Sequence, residues 1–171
     1  MQKLEQFKSK DIEYETPDEI FNPLNTEFGF TVDVCATKEN AKCKRFYTKQ
    51  DDGLNKDWQG VCWMNPPFGK VMQKWVAKAF FESRKDATVV MLIPVRSNTN
   101  WWHKYVMQGE IRFIRGEVTF KGHKNGLWQP MCIVVFRNKK DAPQNTKVQN
   151  GHIAQQPQAK TGEGISLRQF I

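Results

Sequence analysis

Apolar residues along this chain fall into short runs with two distinct periods. Val61-Cys62-Trp63-Met64 and Thr88–Val95 are unbroken runs of strand length. Between them Val71, Met72, Trp75, Val76, Ala79 and Phe80 recur at helical spacing, while Lys70, Gln73, Lys74, Lys78 and Glu82 take the other face. The pattern predicts a strand, a helix over Lys70–Arg84 and a second strand. The β-branched character of Thr88–Val95 predicts that this strand is covered on both faces. Upstream, Thr16-Pro17-Asp18-Glu19 has the composition of a helix start: a capping hydroxyl, a proline for the first turn and two acids for the positive end of the dipole. Ile20, Phe21, Leu24 and Phe28 then supply an apolar face, and Gly29 supplies a stop. Phe30–Ala36 follows as a buried strand carrying one acid, Asp33, and Trp101–Met107 as a short helix. Finally, Ile111–Ile114 and Val118–Phe120 are expected to pair with Met131–Phe136 as antiparallel strands at the end of the sheet. Strands separated by helices, with a late antiparallel element, predict an α/β fold with a mainly parallel sheet.

The alternation fades after about residue 137. From Asn138 to Ile171 there are six glutamines and few apolar side chains before Ile165, Leu167, Phe170 and Ile171. Residues 1–137 are therefore expected to form one domain, and 138–171 a polar, disordered tail without a core. No apolar run reaches membrane-spanning length, and Met1–Glu13 is charged and lacks the apolar stretch of a secretion signal. A cytoplasmic protein is expected. The four cysteines, Cys35, Cys43, Cys62 and Cys132, have no Cys-x-x-Cys spacing. They predict reduced, buried thiols rather than a zinc site or disulfides. Net charge is +8, with a pI near 9.4. Five basic residues and two acids fall in the tail, leaving a moderate positive bias on the domain. Such a balance favours an anionic partner, nucleic acid above all.

The candidate chemistry lies at the end of the first clear strand, in Asn65-Pro66-Pro67-Phe68. Each proline fixes its own φ, lacks an N–H and restricts the residue before it. The result is a stiff, extended turn that suits a planar heterocycle bearing an amino group. The Asn65 amide oxygen and the Pro66 carbonyl are acceptors, and the Phe68 ring is a stacking surface. Chance places a Pro-Pro pair roughly once in 400 positions, so the surroundings must carry the inference. Asp33, in an apolar strand, suits a ligand at the carboxyl edge of the sheet, or a turn that it stabilises. Asp51 and Asp52 suit a ribose or an amine, or simply the Asp52-Gly53 turn. Three basic loops are candidates for phosphates and base edges: Lys42, Lys44 and Arg45; Arg96, Asn98, Asn100, Trp101, His103 and Lys104; and Lys121 and Lys124. Each is equally readable as a solvated loop. Trp101 and Trp102 are candidate stacking surfaces, with at least one of them expected in the core.

The ordered set Tyr14-x-Thr16-Pro17, Asp33-Val34-Cys35-Ala36, Asn40-Ala41-Lys42-Cys43, Asp51-Asp52-Gly53-Leu54, Trp58, Asn65-Pro66-Pro67-Phe68, Trp75, Leu92-Ile93-Pro94 and Trp101-Trp102 resembles the phage-encoded Dam-type DNA N6-adenine methyltransferases. The resemblance runs from about Tyr14 to Phe136. It implies a Rossmann-like methyltransferase fold, S-adenosylmethionine as cofactor and double-stranded DNA as partner, with no metal. It also implies catalysis by Asn65, Pro66, Pro67 and Phe68 on a flipped-out adenine. By position it assigns cofactor contacts to Thr16, Pro17, Asp33, Ala36, Asn40, Asp51, Asp52 and Asn65. One departure stands out: Asp33–Asn40 has no glycine, where most such enzymes carry a glycine-rich cofactor loop. Rival readings are an RNA adenine or protein glutamine methyltransferase, and a non-catalytic DNA-binding module on the same fold.

Overall fold

The computed structural model describes residues 14–138. The charged segment Met1–Glu13 and, apart from Asn138, the expected polar tail lie outside these residues. Helix α1 spans Asp18–Phe28, β1 Val32–Asp33, β2 Gly60–Met64, α2 Met72–Ser83, β3 Ala87–Pro94, α3 Asn100–Lys104, β4 Glu110–Phe113 and β5 Met131–Phe136, with 3-10 turns at Gly53–Asn55 and Val106–Gln108. The five strands form one sheet in the order β1-β2-β3-β5-β4. β1, β2 and β3 are parallel, and β5 is antiparallel to both β3 and β4. Four strands thus share a direction and one runs against them. The late antiparallel pair β4 and β5 stands at the end of the sheet, as expected, with β5, the strand that runs against the others, between β3 and β4.

All eight residues of β3 and all six of β5 are buried, as expected for strands covered on both faces. Alternation along these strands sorts the core into two layers. Val76 and Ala79 of α2, with Val106, cover Cys62, Met64, Val89, Met91 and Val134. Phe21 and Leu24 of α1 cover Trp63, Val90, Leu92, Ile133 and Val135 on the opposite face. Helices on both faces of the sheet are the expected layering for an α/β fold.

Several elements differ from their sequence pattern. α1 begins after Pro17, and no side chain caps it; Thr16 is buried and turned elsewhere. Gly29 does end it, with φ +64° and its N–H donating to the Asn25 carbonyl. β1 is two residues long, although its flanks remain bonded. Thr31 and Val34 donate to β2 carbonyls, Asp33 and Ala36 donate to the Arg45 and Tyr47 carbonyls, and the Tyr47 N–H donates back to the Asp33 carbonyl. That segment covers the sheet edge. Val118–Phe120 forms no strand, because Val118 pairs only with Leu127 while Phe120 packs beneath the second core layer. Glu82, expected on the solvent face of α2, is buried. The cysteines are free thiols; Cys62 and Cys132 are buried, and burial raises both to about 12.

Candidate active site

β2 stops at Met64 because the next positions cannot continue a ladder: Pro66 and Pro67 have no N–H. Asn65 is thereby held at the carboxyl edge of the sheet. Its Nδ2 donates to the Tyr14 carbonyl and, over 3.1 Å, to Thr16 Oγ1. Its backbone carbonyl accepts the Cys35 thiol at 3.2 Å. With both amide hydrogens engaged, Oδ1 is buried and is the one buried side-chain polar atom among the described residues without a hydrogen-bond partner. Buried polar atoms are nearly always paired, so an orphaned acceptor on a residue that lines a cavity calls for an explanation.

Asn65 lines such a cavity, of about 280 Å³, at the carboxyl ends of β1 and β2. This is where ligands of open α/β sheets bind. Its floor is Asp33, 3 % exposed, whose Oδ1 accepts the Cys35 N–H at 3.3 Å and Oδ2 the Lys42 N–H at 3.1 Å. Burial raises the Asp33 carboxyl to about 6, against the opposing pull of these two N–H groups and the Lys42 charge. The glycine-free loop after β1 is closed by its own side chains. Asn40 Oδ1 accepts the Thr37 N–H at 2.7 Å, and Thr37 Oγ1 accepts the Asn40 N–H at 3.3 Å. Close backbone approach comes instead from Gly53, where a Cβ would lie 2.3 Å from the Val34 carbonyl oxygen. Trp58 Nε1 fixes the Gly53 carbonyl at 2.8 Å, and the Trp58 ring stacks on Trp75, whose ring walls the cavity.

Of the residues assigned to a cofactor by position, Thr16, Asp33, Ala36, Asn40, Asp52 and Asn65 line this cavity. Pro17 and Asp51 do not. Pro17 is the N-terminal boundary of α1, and the Asp51 carboxylate takes the Thr48 N–H and hydroxyl at 2.9 and 2.7 Å. Pro67 lines the cavity, Pro66 is buried beneath, and Phe68 faces a second hollow with Lys70, Arg96, Thr99 and Trp101. The Phe68 ring packs against Tyr14 and Phe120, at centroid distances of 5.0 and 5.9 Å.

The basic residues divide. Lys42 is ion-paired with Glu15 and Asp18 at 3.5 and 2.9 Å, and Lys121 with the same two acids at 3.0 and 2.9 Å. Their charges are largely compensated. Arg45 donates to the Tyr47 hydroxyl and Arg96 to Gln129 Oε1, both at 2.7 Å. Lys44, Lys104, Lys124, Asn98, Asn100 and His103 are exposed, with the His103 ring against the Ser97 carbonyl at 2.7 Å. Trp102 is core and Trp101 half-buried.

A sequence model of the family described as DNA N-6-adenine-methyltransferase (Dam) matches residues 4–159. The chain belongs to that family. It is 33 % identical over 137 residues to the DNA N-6-adenine-methyltransferase of Haemophilus phage HP1 (strain HP1c1), covering 72 % of this chain and 78 % of that one. To the DNA N-6-adenine-methyltransferase of Escherichia phage T1 it is 27 % identical over 110 residues, 62 % of this chain and 46 % of that one. Several residues lining this Dam-family cavity escaped the sequence reading, among them Tyr14, Cys35, Tyr47, Gly53 and Trp75. Tyr14, Cys35, Gly53 and Trp75 stand within the ordered set of motifs, but nothing in their spacing told a cavity wall from core or turn. Trp128, 69 % exposed beside the Arg96–Gln129 hydrogen bond, was also missed, for want of any pattern around it. No helix among the described residues is long and apolar enough to cross a membrane, and they contain no cluster of His, Cys, Asp or Glu suited to a metal.

Proposed function

We propose that this member of the adenine-specific DNA methyltransferases transfers a methyl group from S-adenosylmethionine to the N6 amine of an adenine rotated out of duplex DNA. The observation that carries the reading is the orphaned, buried Asn65 Oδ1, held by two acceptors on the nitrogen side of a residue that lines the cavity. The donor set fits the proposed cofactor. A buried carboxylate, Asp33, suits its positive charge, and the Tyr47 and Trp75 rings suit its adenine. The turn at Asp52-Gly53 offers acceptors for its ribose. Bound, the cofactor supplies an electrophilic methyl group on sulfur.

Adenine N6 is a weak nucleophile because its lone pair is delocalised into the ring. Asn65 Oδ1 accepts one N6 hydrogen and the Pro66 carbonyl the other, which draws the nitrogen toward a tetrahedral shape with its lone pair free. Fixed acceptors and fixed geometry supply the rate enhancement; transfer would break the donor's sulfur–methyl bond to leave a neutral thioether, and the acidic proton of the methylated amine would pass to solvent, so no strong base is required. Phe68 packs against the base, which must leave the stack to be reached. The fold is read as the Rossmann-like methyltransferase class, with its cofactor at the carboxyl edge of the sheet. Lys44, Arg96, Lys104 and Lys124 hold phosphates, and the exposed Trp128 ring offers a stacking surface to the bases. In the cell such an enzyme acts in the cytoplasm of a bacterial host.

The deciding experiment incubates the protein with methyl-labelled S-adenosylmethionine and unmethylated duplex DNA, followed by nucleoside analysis. Label in N6-methyladenine supports the reading; label in N4-methylcytosine or in protein refutes it. Asn65→Ala is expected to lower kcat by at least about 100-fold, the scale of losing a fixed transition-state acceptor, with the melting temperature nearly unchanged.

A further inference from the structure

An asparagine amide has nearly the same shape either way round, so something other than sterics must decide which atom faces a ligand. Here the nitrogen edge of Asn65 meets the Tyr14 carbonyl and Thr16 Oγ1 at 3.1 Å. A carbonyl can only accept, so a flipped amide would set two oxygens against each other. The hydroxyl takes the second Nδ2 hydrogen and fixes the plane of the group. Neither partner comes from the turn itself; both belong to the segment that enters α1.

That segment is seated independently. The Lys121 N–H donates to the Glu15 carbonyl at 3.0 Å. Glu15 and Asp18 hold Lys42 and Lys121 in a four-charge cluster. Thr16 is 2 % exposed and does not cap the helix, which leaves its hydroxyl for the amide.

We infer that Thr16 is a positioning residue for the reaction: with the Tyr14 carbonyl it orients the Asn65 amide so that Oδ1 alone faces the target amine, and it is not a cofactor ligand. The inference rests on the reading of Asn65 as the acceptor for N6.

Thr16→Val keeps the shape and removes the hydroxyl. One Nδ2 hydrogen is then buried without an acceptor, and the amide must shift to relieve it. At saturating cofactor and DNA, kcat is expected to fall by about 10- to 100-fold, the scale of a small misplacement at a reacting centre. The dissociation constant for S-adenosylmethionine and the KM for DNA are expected to stay within about twofold, since neither ligand is bound through the hydroxyl. Thr16→Ser is expected to restore most of kcat. A weaker cofactor dissociation constant with kcat unchanged would make Thr16 a cofactor ligand and overturn the inference. So would an unchanged kcat, or a valine variant that no longer folds, which would assign the hydroxyl to the fold. Asn65→Ala separates the two layers. If it is inactive while Thr16→Val is normal, only the positioning role fails; if Asn65→Ala is active, the reading of Asn65 fails first.

Discussion

Ionising Asp33 beneath the cavity is opposed by burial and only partly compensated by two backbone N–H groups and Lys42, which is why its carboxyl titrates near 6. The consequence for stability has a definite sign. Because the folded value lies above the ordinary 3.8, the site favours the fold when protonated, and that contribution is lost as pH rises through about 6. Affinity for a cationic ligand runs the other way, since only the carboxylate attracts it. Binding of S-adenosylmethionine, measured by calorimetric titration, is therefore expected to weaken as pH falls below about 6, and Asp33→Asn to abolish that pH dependence. At Gly53 the constraint is steric. A Cβ 2.3 Å from the Val34 carbonyl forces the Asp52–Leu54 turn away from β1. Gly53→Ala is expected to cost about 1–3 kcal/mol of stability, as overpacking does, and to weaken cofactor binding; chemical denaturation and titration check both.

At the scale of elements, α2 is anchored by a buried acid. Glu82 accepts the Trp58 N–H at 3.0 Å and pairs with Lys78 and Lys85 at 2.8 and 2.9 Å. Burial raises its carboxyl, but the hydrogen bonds from Lys78, Trp58 and Lys85 together outweigh that and hold it below the ordinary value. The stability it contributes is therefore present above about 4.5 and lost as pH falls through the lower folded value. Glu82→Ala is expected to destabilise by about 3 kcal/mol, the low end for breaking a buried pair, because the lysines reach solvent; urea denaturation at pH 7 measures it. The effect should extend to the cavity, since Trp58 carries both the Gly53 bond and the Trp75 stack. Period alone placed Glu82 outside, and it could not do otherwise. The N–H that draws the acid inward comes from a loop 24 residues upstream. Thr16 was misplaced for a similar reason: its local signal is a helix cap, while its partner lies 49 residues away. Where the signal is self-contained, as in β3 or the Gly29 stop, sequence and structure agree. The Asn-Pro-Pro-Phe turn was legible because prolines act on their own backbone. Which atom of the Asn65 amide is left without a partner was not, because another segment decides it.

For the molecule as a whole, the basic loops carry less free charge than their composition suggests, since Lys42 and Lys121 are paired with Glu15 and Asp18. Exposed residues such as Lys124 and Trp128 are left to meet a polyanion. Trp128→Ala and Lys124→Glu are each expected to raise the KM for duplex DNA several-fold, on the order of a lost stacking or phosphate contact. The affinity for S-adenosylmethionine should be untouched, which filter binding and titration distinguish. The strand order has a consequence in time rather than space. β4 is made before β5 yet pairs with it alone, and β3 meets β5 rather than any earlier strand on that side. As the chain emerges, β1 to β3 can assemble with α1 and α2, but one flank of β3 stays open and β4 waits without a partner. An open strand flank is a template for wrong pairing. Arrival of Met131–Phe136 is the event that closes the sheet, so the interval before it is when this protein is most exposed to aggregation.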